Sequence, residues 1–581
     1  LNSQLIANLT NTARLILSNV ADDPSYFALQ VARKFKSQAP VKVLDKVLSL
    51  GNNGTLANAI SAMIRDDRVQ LNTTCRLWIE KSNAKRGGIF LANLCIASGE
   101  WETAASLLQV PSTSPNAIRA RARLQWGLGN MSEAIALLEQ IRPNRQKRHY
   151  VSEYQVYLGT VPKLPATQYA GSKNRTLKTV VCLATNSLPH TGSGYAQRTQ
   201  STLSALSAEG WSVRACTRVN YPLSIGIFNA QKSDRVGAVE YERLIPVRAK
   251  YDLSGRIQQQ SEALLAKVLH DGPQILHTTT DFSNALAVKA VSEATGIPWV
   301  YEVRGQLADT WLSTRPASAV NSERYKLFRE REAFVARNAD YVITLGAEMR
   351  ENLTVTGVKP DSIEILPNGI GEEFLNEPVS RSVAREELGL DVQAFYVGTV
   401  SSLVPYEGLD TVLRAVAKIM PATEKLRVLI VGDGTERENL IRLAVELGIS
   451  EYCEFPGRVP REKAHLYHAS LNVFVVPRVD SSVTRAVTPL KPVEALASRV
   501  PVIASDLPAL RELISDGETG HLVPSGDVEA WANSIESLIY EPSKAELMGR
   551  SGRDFVLETR TWNKNAKRLA EIYQQVISKA D

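Results

Sequence analysis

Residues 473–504, VFVVPRVDSSVTRAVTPLKPVEALASRVPVIA, decide how the rest of the chain is read. A β-branched run ends in a loop carrying Arg478 and Arg485, a helix starts near Leu490 with Glu494 one turn inside it, and a second apolar strand follows Pro501. Such a unit gathers basic side chains, free helix N-terminal amides and one carboxylate at the C-terminal edge of a parallel sheet. Those groups suit a nucleotide diphosphate: cations and amides for the phosphates, a carboxylate for the ribose hydroxyls.

Upstream of this unit, apolar runs of five to seven residues alternate with helical stretches from Thr179 onward. The first set of strands is expected at 180–184, 212–217, 274–277, 299–303, 341–345 and 364–366. A second set is expected at 395–400, 427–431, 471–476 and 502–504. Continuous apolar character, without alternation, predicts strands covered on both faces and therefore parallel sheets. The fold class is α/β: two Rossmann-like domains, at 176–374 and 375–558, preceded by an all-α helical-repeat domain at 1–165. Residues 559–581 read as a terminal amphipathic helix packing back toward the first Rossmann-like domain.

The first 160 residues carry apolar positions at helical spacing, as in LIANLTNTARLIL (5–17) and APVKVLDKVLSL (39–50). Two segments look alike: Gly99 precedes an Ala-rich amphipathic stretch at 103–108, and Gly129 precedes another at 133–138. That pattern resembles degenerate tetratricopeptide-like hairpins, with a plain helical bundle as the alternative. Residues 162–178, rich in Pro, Thr, Ser and Lys, read as a linker.

The chain of 581 residues is 44% hydrophobic and 22% charged, which is ordinary for a soluble globular protein. No window approaches the roughly 18 unbroken apolar residues of a membrane span, and no secretory signal is visible. A cytoplasmic location is expected, with peripheral docking at the inner membrane surface left open. Five scattered cysteines show no metal-ligand spacing and read as buried reduced thiols. Charge is uneven: residues 1–165 hold 20 Lys and Arg against 11 Asp and Glu, leaving 47 against 50 for the rest. The basic helical part could meet an acidic protein partner or an anionic bilayer; nucleic acid is not expected, because no aromatic residues interleave its cations.

Several motifs line up behind the opening segment: NSLPHTGSGYA (186–196), ILHTTTD (275–281), YEVRG (301–305), LPNGI (366–370), VGDG (431–434), FPGRV (455–459), PVEALA (492–497) and ETGHLV (518–523). In this order they resemble the GT-B glycosyltransferases, most closely the retaining family 4 group that builds bacterial glycans. The resemblance covers about residues 178–578. It implies a nucleotide-sugar donor held by the C-terminal domain and a glycan, lipid-linked or protein acceptor met by the N-terminal domain. No cofactor is implied; the nucleotide diphosphate sugar, UDP- or GDP-linked, is the donor substrate. It further implies retention of anomeric configuration.

By the same resemblance, Glu494 matches the carboxylate on the ribose, Gly457, Arg458 and Val459 match the turn at the base, and residues 489–491, with Leu490 and Lys491, match the helix start under the diphosphate. Gly192 and Gly194 open the first strand-to-helix loop to close approach by a ligand. His190, His277 and Arg304 are expected at strand ends facing the cleft as catalytic residues. Three positions depart from the family: Ala486 replaces a second glutamate, the segment SSLVPYEG (401–408) lacks the usual cations, and Thr279 stands at a frequent histidine position. Arg458, Arg478, Arg485 and Lys491 are therefore expected to take over the diphosphate charge. No Asp-x-Asp occurs, which fits a leaving group stabilised without a metal. Two other readings are a nucleotide-sugar 2-epimerase of the same architecture and a helical-repeat scaffold carrying a nucleotide-sugar-sensing pseudoenzyme.

Overall fold

The computed structural model describes residues 3–35, 55–65, 67–81, 87–109, 111–167, 178–420, 423 and 425–580. The helical reading of residues 39–50, and most of the linker reading, lie outside the described residues.

The N-terminal part is all helix among its described residues, ending in the elements Gly88–Ser98, Trp101–Leu107, Pro115–Leu128, Met131–Glu139 and Arg145–Leu158. Three glycines, Gly99, Gly129 and Gly159, follow helices with φ of 85°, 94° and 128°. In each case the glycine N–H and the next N–H turn back onto the helix: Gly99 and Glu100 donate to Ile96 and Cys95, Gly129 and Asn130 to Trp126 and Gln125, Gly159 and Thr160 to Val156 and Gln155. These are Schellman-type stops, and only glycine takes that backbone without strain. The spacing of the first two, visible in the sequence, thus extends to a third.

The array is fixed to the first α/β domain. Val156 and Tyr157 join Phe282 and Phe328 in one apolar core. Arg324 donates to Glu153 at 2.8 Å and stands over the rings of Trp126 and Tyr157. Its backbone N–H donates to Gly129 O at 2.9 Å.

The first sheet contains β1 (Thr179–Ala184), β2 (Ser212–Thr217), β3 (Ser233–Val236), β4 (Val239–Arg243), β5 (Ile275–Thr279), β6 (Trp299–Val303), β7 (Tyr341–Thr344) and β8 (Ile363–Ile365). Their spatial order is β3-β4-β2-β1-β5-β6-β7-β8, parallel throughout except for the β3–β4 hairpin. The second sheet contains β9 (Phe395–Val400), β10 (Leu426–Val431), β11 (Cys453–Gly457), β12 (Val473–Val476), β13 (Val502–Ser505) and β14 (Gly520–Val523). It is parallel, in the order β11-β10-β9-β12-β13-β14. Every residue of β1, β5, β6, β7, β12 and β13 is buried, as helix cover on both faces requires.

The chain crosses between the domains twice. Residues 366–380 lead out, and the last helix, Trp562–Ala580, returns to lie on the first sheet. Its Leu569, Ile572, Tyr573 and Val576 share a core with Val180, Ile275, Val300 and Ile343. Among the described residues no helix is long and apolar enough to cross a membrane.

Candidate functional site

A cavity of about 810 Å³, open to solvent, lies between the facing edges of the two sheets. Its first wall is the loop after β1, contributing His190, Thr191, Gly192, Ser193, Gly194 and Gln197. Its second wall is built from the loops after β9, β10, β11 and β12, with Tyr406, Glu407, Asp433, Arg458, Val459, Arg461, Arg478 and residues 489–492 facing in.

On the first wall, the Ser193 hydroxyl accepts from Ala196 N at 3.3 Å and starts the 15-residue helix Gly194–Ala208. A Cβ placed on Gly192 or Gly194 would meet nothing within 4 Å. These glycines therefore make no room for the protein itself; the space they leave faces the cavity. On the second wall glycine does the opposite. A Cβ on Gly432, whose φ is 140°, would stand 1.8 Å from Ser401 O. That position closes two strand-to-helix loops onto each other and is structural.

Glu494 sits in the short helix Lys491–Ala497 and is 1% exposed. Lys491 Nζ donates to its Oε2 at 2.7 Å, His468 Nε2 stands 3.2 Å from the same oxygen, and Arg461 Nη1 is 3.7 Å from Oε1. Burial pushes this carboxyl up, but Lys491, His468 and Arg461 outweigh it and hold it well below the usual carboxylate range. Burial also holds the His468 imidazole below its ordinary value, against the pull of Glu494. Lys491, Leu490, Arg458 and Val459 line the cavity, and Gly457 precedes Arg458 with φ of 80°. Arg458 is exposed and, among the described residues, meets no carboxylate.

Four expected residues are placed differently. Arg478 lines the cavity, but its guanidinium forks onto Glu407 at 2.9 and 3.2 Å and donates to Val487 O at 2.9 Å. Its charge is thus already matched by an acid in the segment that lacked the family's cations. Arg485 is not at the cavity. The five-residue helix Ser482–Ala486 buries Val483, Thr484 and Ala486 and leaves Arg485 outside, paired with Asp480 at 2.5 and 2.7 Å.

Arg304 directly follows β6, but His277 lies in the middle of β5 and not at its end, and neither faces the cleft. The last helix covers His277, whose Nδ1 bonds Tyr573 Oη. Arg304 is 2% exposed and reaches Glu302, Tyr195 O at 2.8 Å and Thr199 Oγ1 at 2.7 Å. Glu302 also receives Arg198 Nε at 2.7 Å, and Arg198 in turn donates to Leu366 O and Pro367 O in the crossing segment. Burial raises the Glu302 carboxyl, yet Arg304 and Arg198 hold it well below its ordinary range.

Sequence reasoning missed Arg198, Asp234, Glu407, Arg461 and His468. Arg461, three residues after Arg458, could have been found from its place in the same basic turn. For the others no local pattern sets them apart. Across the cleft the domains touch: Asn368 Nδ2 donates to Thr488 O at 2.9 Å, and Glu512 accepts from Ala347 N at 2.9 Å.

Comparison with known proteins accords with this architecture. Residues 193–369 match the family model of the glycosyl transferase 4-like domain, and residues 380–555 match that of glycosyl transferases group 1. A GDP-mannose-dependent alpha-(1-6)-phosphatidylinositol monomannoside mannosyltransferase of Mycolicibacterium smegmatis is 31% identical over 241 residues, 41% of this chain and 63% of that protein. A D-inositol 3-phosphate glycosyltransferase of Rhodococcus erythropolis is 34% identical over 228 residues, 38% of this chain and 50% of that protein. The chain thus spans between half and two thirds of the length of these relatives. Among solved structures, sucrose-phosphate synthase from Thermosynechococcus elongatus superposes with a TM-score of 0.58 at 23% identity, covering 69% of this chain and all of that one. Anabaena HepE in complex with UDP gives 0.54 at 16% identity, covering 68% of this chain and all of that one.

Proposed function

We propose that this chain, a GT-B protein with a glycosyl transferase 4-like and a glycosyl transferases group 1 domain, moves a sugar from a nucleotide diphosphate donor to a glycan or lipid-linked acceptor. The observation that carries the reading is the meeting of Glu494, Lys491 and Arg461 beside a cavity that also holds the exposed Arg458 and the open Gly192–Gly194 loop.

In this reading the Glu494 carboxylate, kept ionised by its neighbours, takes the ribose hydroxyls. Arg458, Arg461 and Lys491 stabilise the charge that grows on the departing diphosphate, assisted by the free amides at the start of Gly194–Ala208. Arg478 orients the loop through Glu407, and Arg485 has no part. The charge compensation in this reading rests on these cations. The family likeness favours retention at the anomeric carbon.

The printed activity of the mycobacterial relative makes GDP-mannose the first donor to try, and the HepE complex makes UDP-linked sugars the second. The test is thermal denaturation of the purified chain with GDP, UDP and ADP sugars. Ligand at about 100 times its dissociation constant stabilises by roughly 2.7 kcal/mol, which a melting curve resolves. No shift with any nucleotide diphosphate sugar would remove the donor site.

A further inference from the structure

One group on the first wall of the cavity is left unused by the donor contacts. His190 is half-buried and lines the cavity, and its Nε2 lies 3.1 Å from Asp234 Oδ2. Asp234 belongs to β3, the antiparallel strand at the edge of the first sheet. The same Oδ2 accepts from Arg243 Nε at 2.7 Å. Arg243, from β4, has a fully buried side chain and stands over the Tyr221 and Tyr241 rings at 5.3 and 5.7 Å.

A carboxylate only accepts, so in the neutral ring Nε2 carries the proton and Nδ1 is left as an acceptor. The loop does not need the imidazole in order to fold. Arg243 already holds it through Ser187 Oγ at 2.7 Å and Leu188 O at 3.3 Å, and Tyr221 Oη donates to Ser187 O at 2.7 Å. The Asp234–His190 contact therefore orients the ring more than it secures the backbone. It stands in the cavity of a chain whose other candidate histidine, His277, is sealed behind Tyr573.

We propose that Asp234, fixed by Arg243, is a positioning residue that sets the tautomer and direction of His190, and that His190 accepts a hydrogen bond from a sugar hydroxyl in the cavity. The inference rests on the proposed function. The hydroxyl belongs either to the donor's sugar or to the acceptor.

The experiment is a double-mutant cycle on the full chain, with GDP-mannose and the UDP sugars as probes. Arg243 and His190 meet the same oxygen, Oδ2, so in Asp234→Asn the amide oxygen stays on Arg243, and His190 loses the carboxylate charge that holds its proton on Nε2. This variant should lower kcat/KM about tenfold while GDP affinity stays unchanged, and the melting temperature should fall because the buried Arg243 loses its counter-charge. Asp234→Glu should recover part of the loss. In a His190→Ala background, Asp234→Asn should add nothing, because it acts through the ring. If hydrolysis of donor alone falls with transfer, the hydroxyl is the donor's; if only transfer falls, it is the acceptor's. Equal losses in both backgrounds, or no loss at all, overturn the inference. A wild-type chain that binds neither GDP nor UDP sinks the proposed function and this inference with it; turnover with an additive cycle sinks this inference alone.

Discussion

The two Rossmann-like halves both gather charged side chains near the C-terminal edges of their sheets, but one half buries them and the other turns them to the cavity. In the first half, Arg198, Glu302, Arg304 and His277 are buried together, and the two guanidinium groups share the single Glu302 carboxylate. In the second half, Arg458, Arg461 and Lys491 face the cavity, and Glu494 behind them is the only fully buried member. The same kind of sequence position thus serves cohesion in one half and ligand contact in the other. What differs is the cover: the returning helix Trp562–Ala580 seals β5, while the loop after β11 opens onto the cavity.

The comparison is sharpened most by removing the acid at the centre of the buried group. Glu302→Gln leaves two guanidinium groups without their counter-charge in a site that water does not reach. Breaking one side of a buried pair costs about 3–5 kcal/mol, so this variant should show the largest loss of stability of any discussed here. The pH dependence follows from the same carboxyl. Its folded value lies well below the ordinary 4.5, so the unfolded chain binds the proton more tightly. Its stabilisation is present above pH 4.5 and is lost as pH falls through the folded value. Urea midpoints across pH 3–6 should decline steeply on the acid side for the wild type and less so for Glu302→Gln. Equal slopes would mean that the buried network contributes little.

Arg458→Ala probes the other half of the comparison. The side chain is exposed and unpaired among the described residues, so the melting temperature without ligand should not move. Binding of the nucleotide diphosphate should weaken about tenfold, as expected for one charge-assisted contact. Calorimetry on the two proteins reads both quantities at once. A large drop in stability would place Arg458 with the first half and not the second.

Burial from both faces is what made most of the strands legible. β6 and β9 match the expected ranges to the residue, because covered parallel strands are nearly all apolar; β2 also matches, although Arg214 interrupts its run and is exposed. β3, β11 and β14 are edge strands, and β4 lies next to one; all four escaped. β4 alternates buried and exposed along VEYER, and β3 carries Ser, Asp and Arg, so neither presents a run. The missing hairpin is also why Asp234 was not foreseen beside His190. At the site, residues whose direction follows from a strand-to-helix turn, such as Gly192, Lys491 and Arg458, could be placed from sequence. His277 could not, because its direction depends on a tyrosine 296 residues further on, nor could Arg304, which turns back onto Tyr195 and Thr199 in a helix 109 and 105 residues earlier.

Arg485 is the mildest case and tests the rule from the opposite side. It lies only six residues before Lys491, and proximity in sequence suggested proximity in function. The helix between Ser481 and Val487 is too short to bury more than one face, and that face takes Val483, Thr484 and Ala486. Arg485 is left with Asp480 in water, where an ion pair gains little over the solvated ions. Arg485→Ala should leave the melting temperature unchanged and alter GDP affinity by less than about twofold. A tenfold loss of affinity would require the outer loop to swing into the cavity when the nucleotide binds, and would make residues 478–487 a moving part of the second wall.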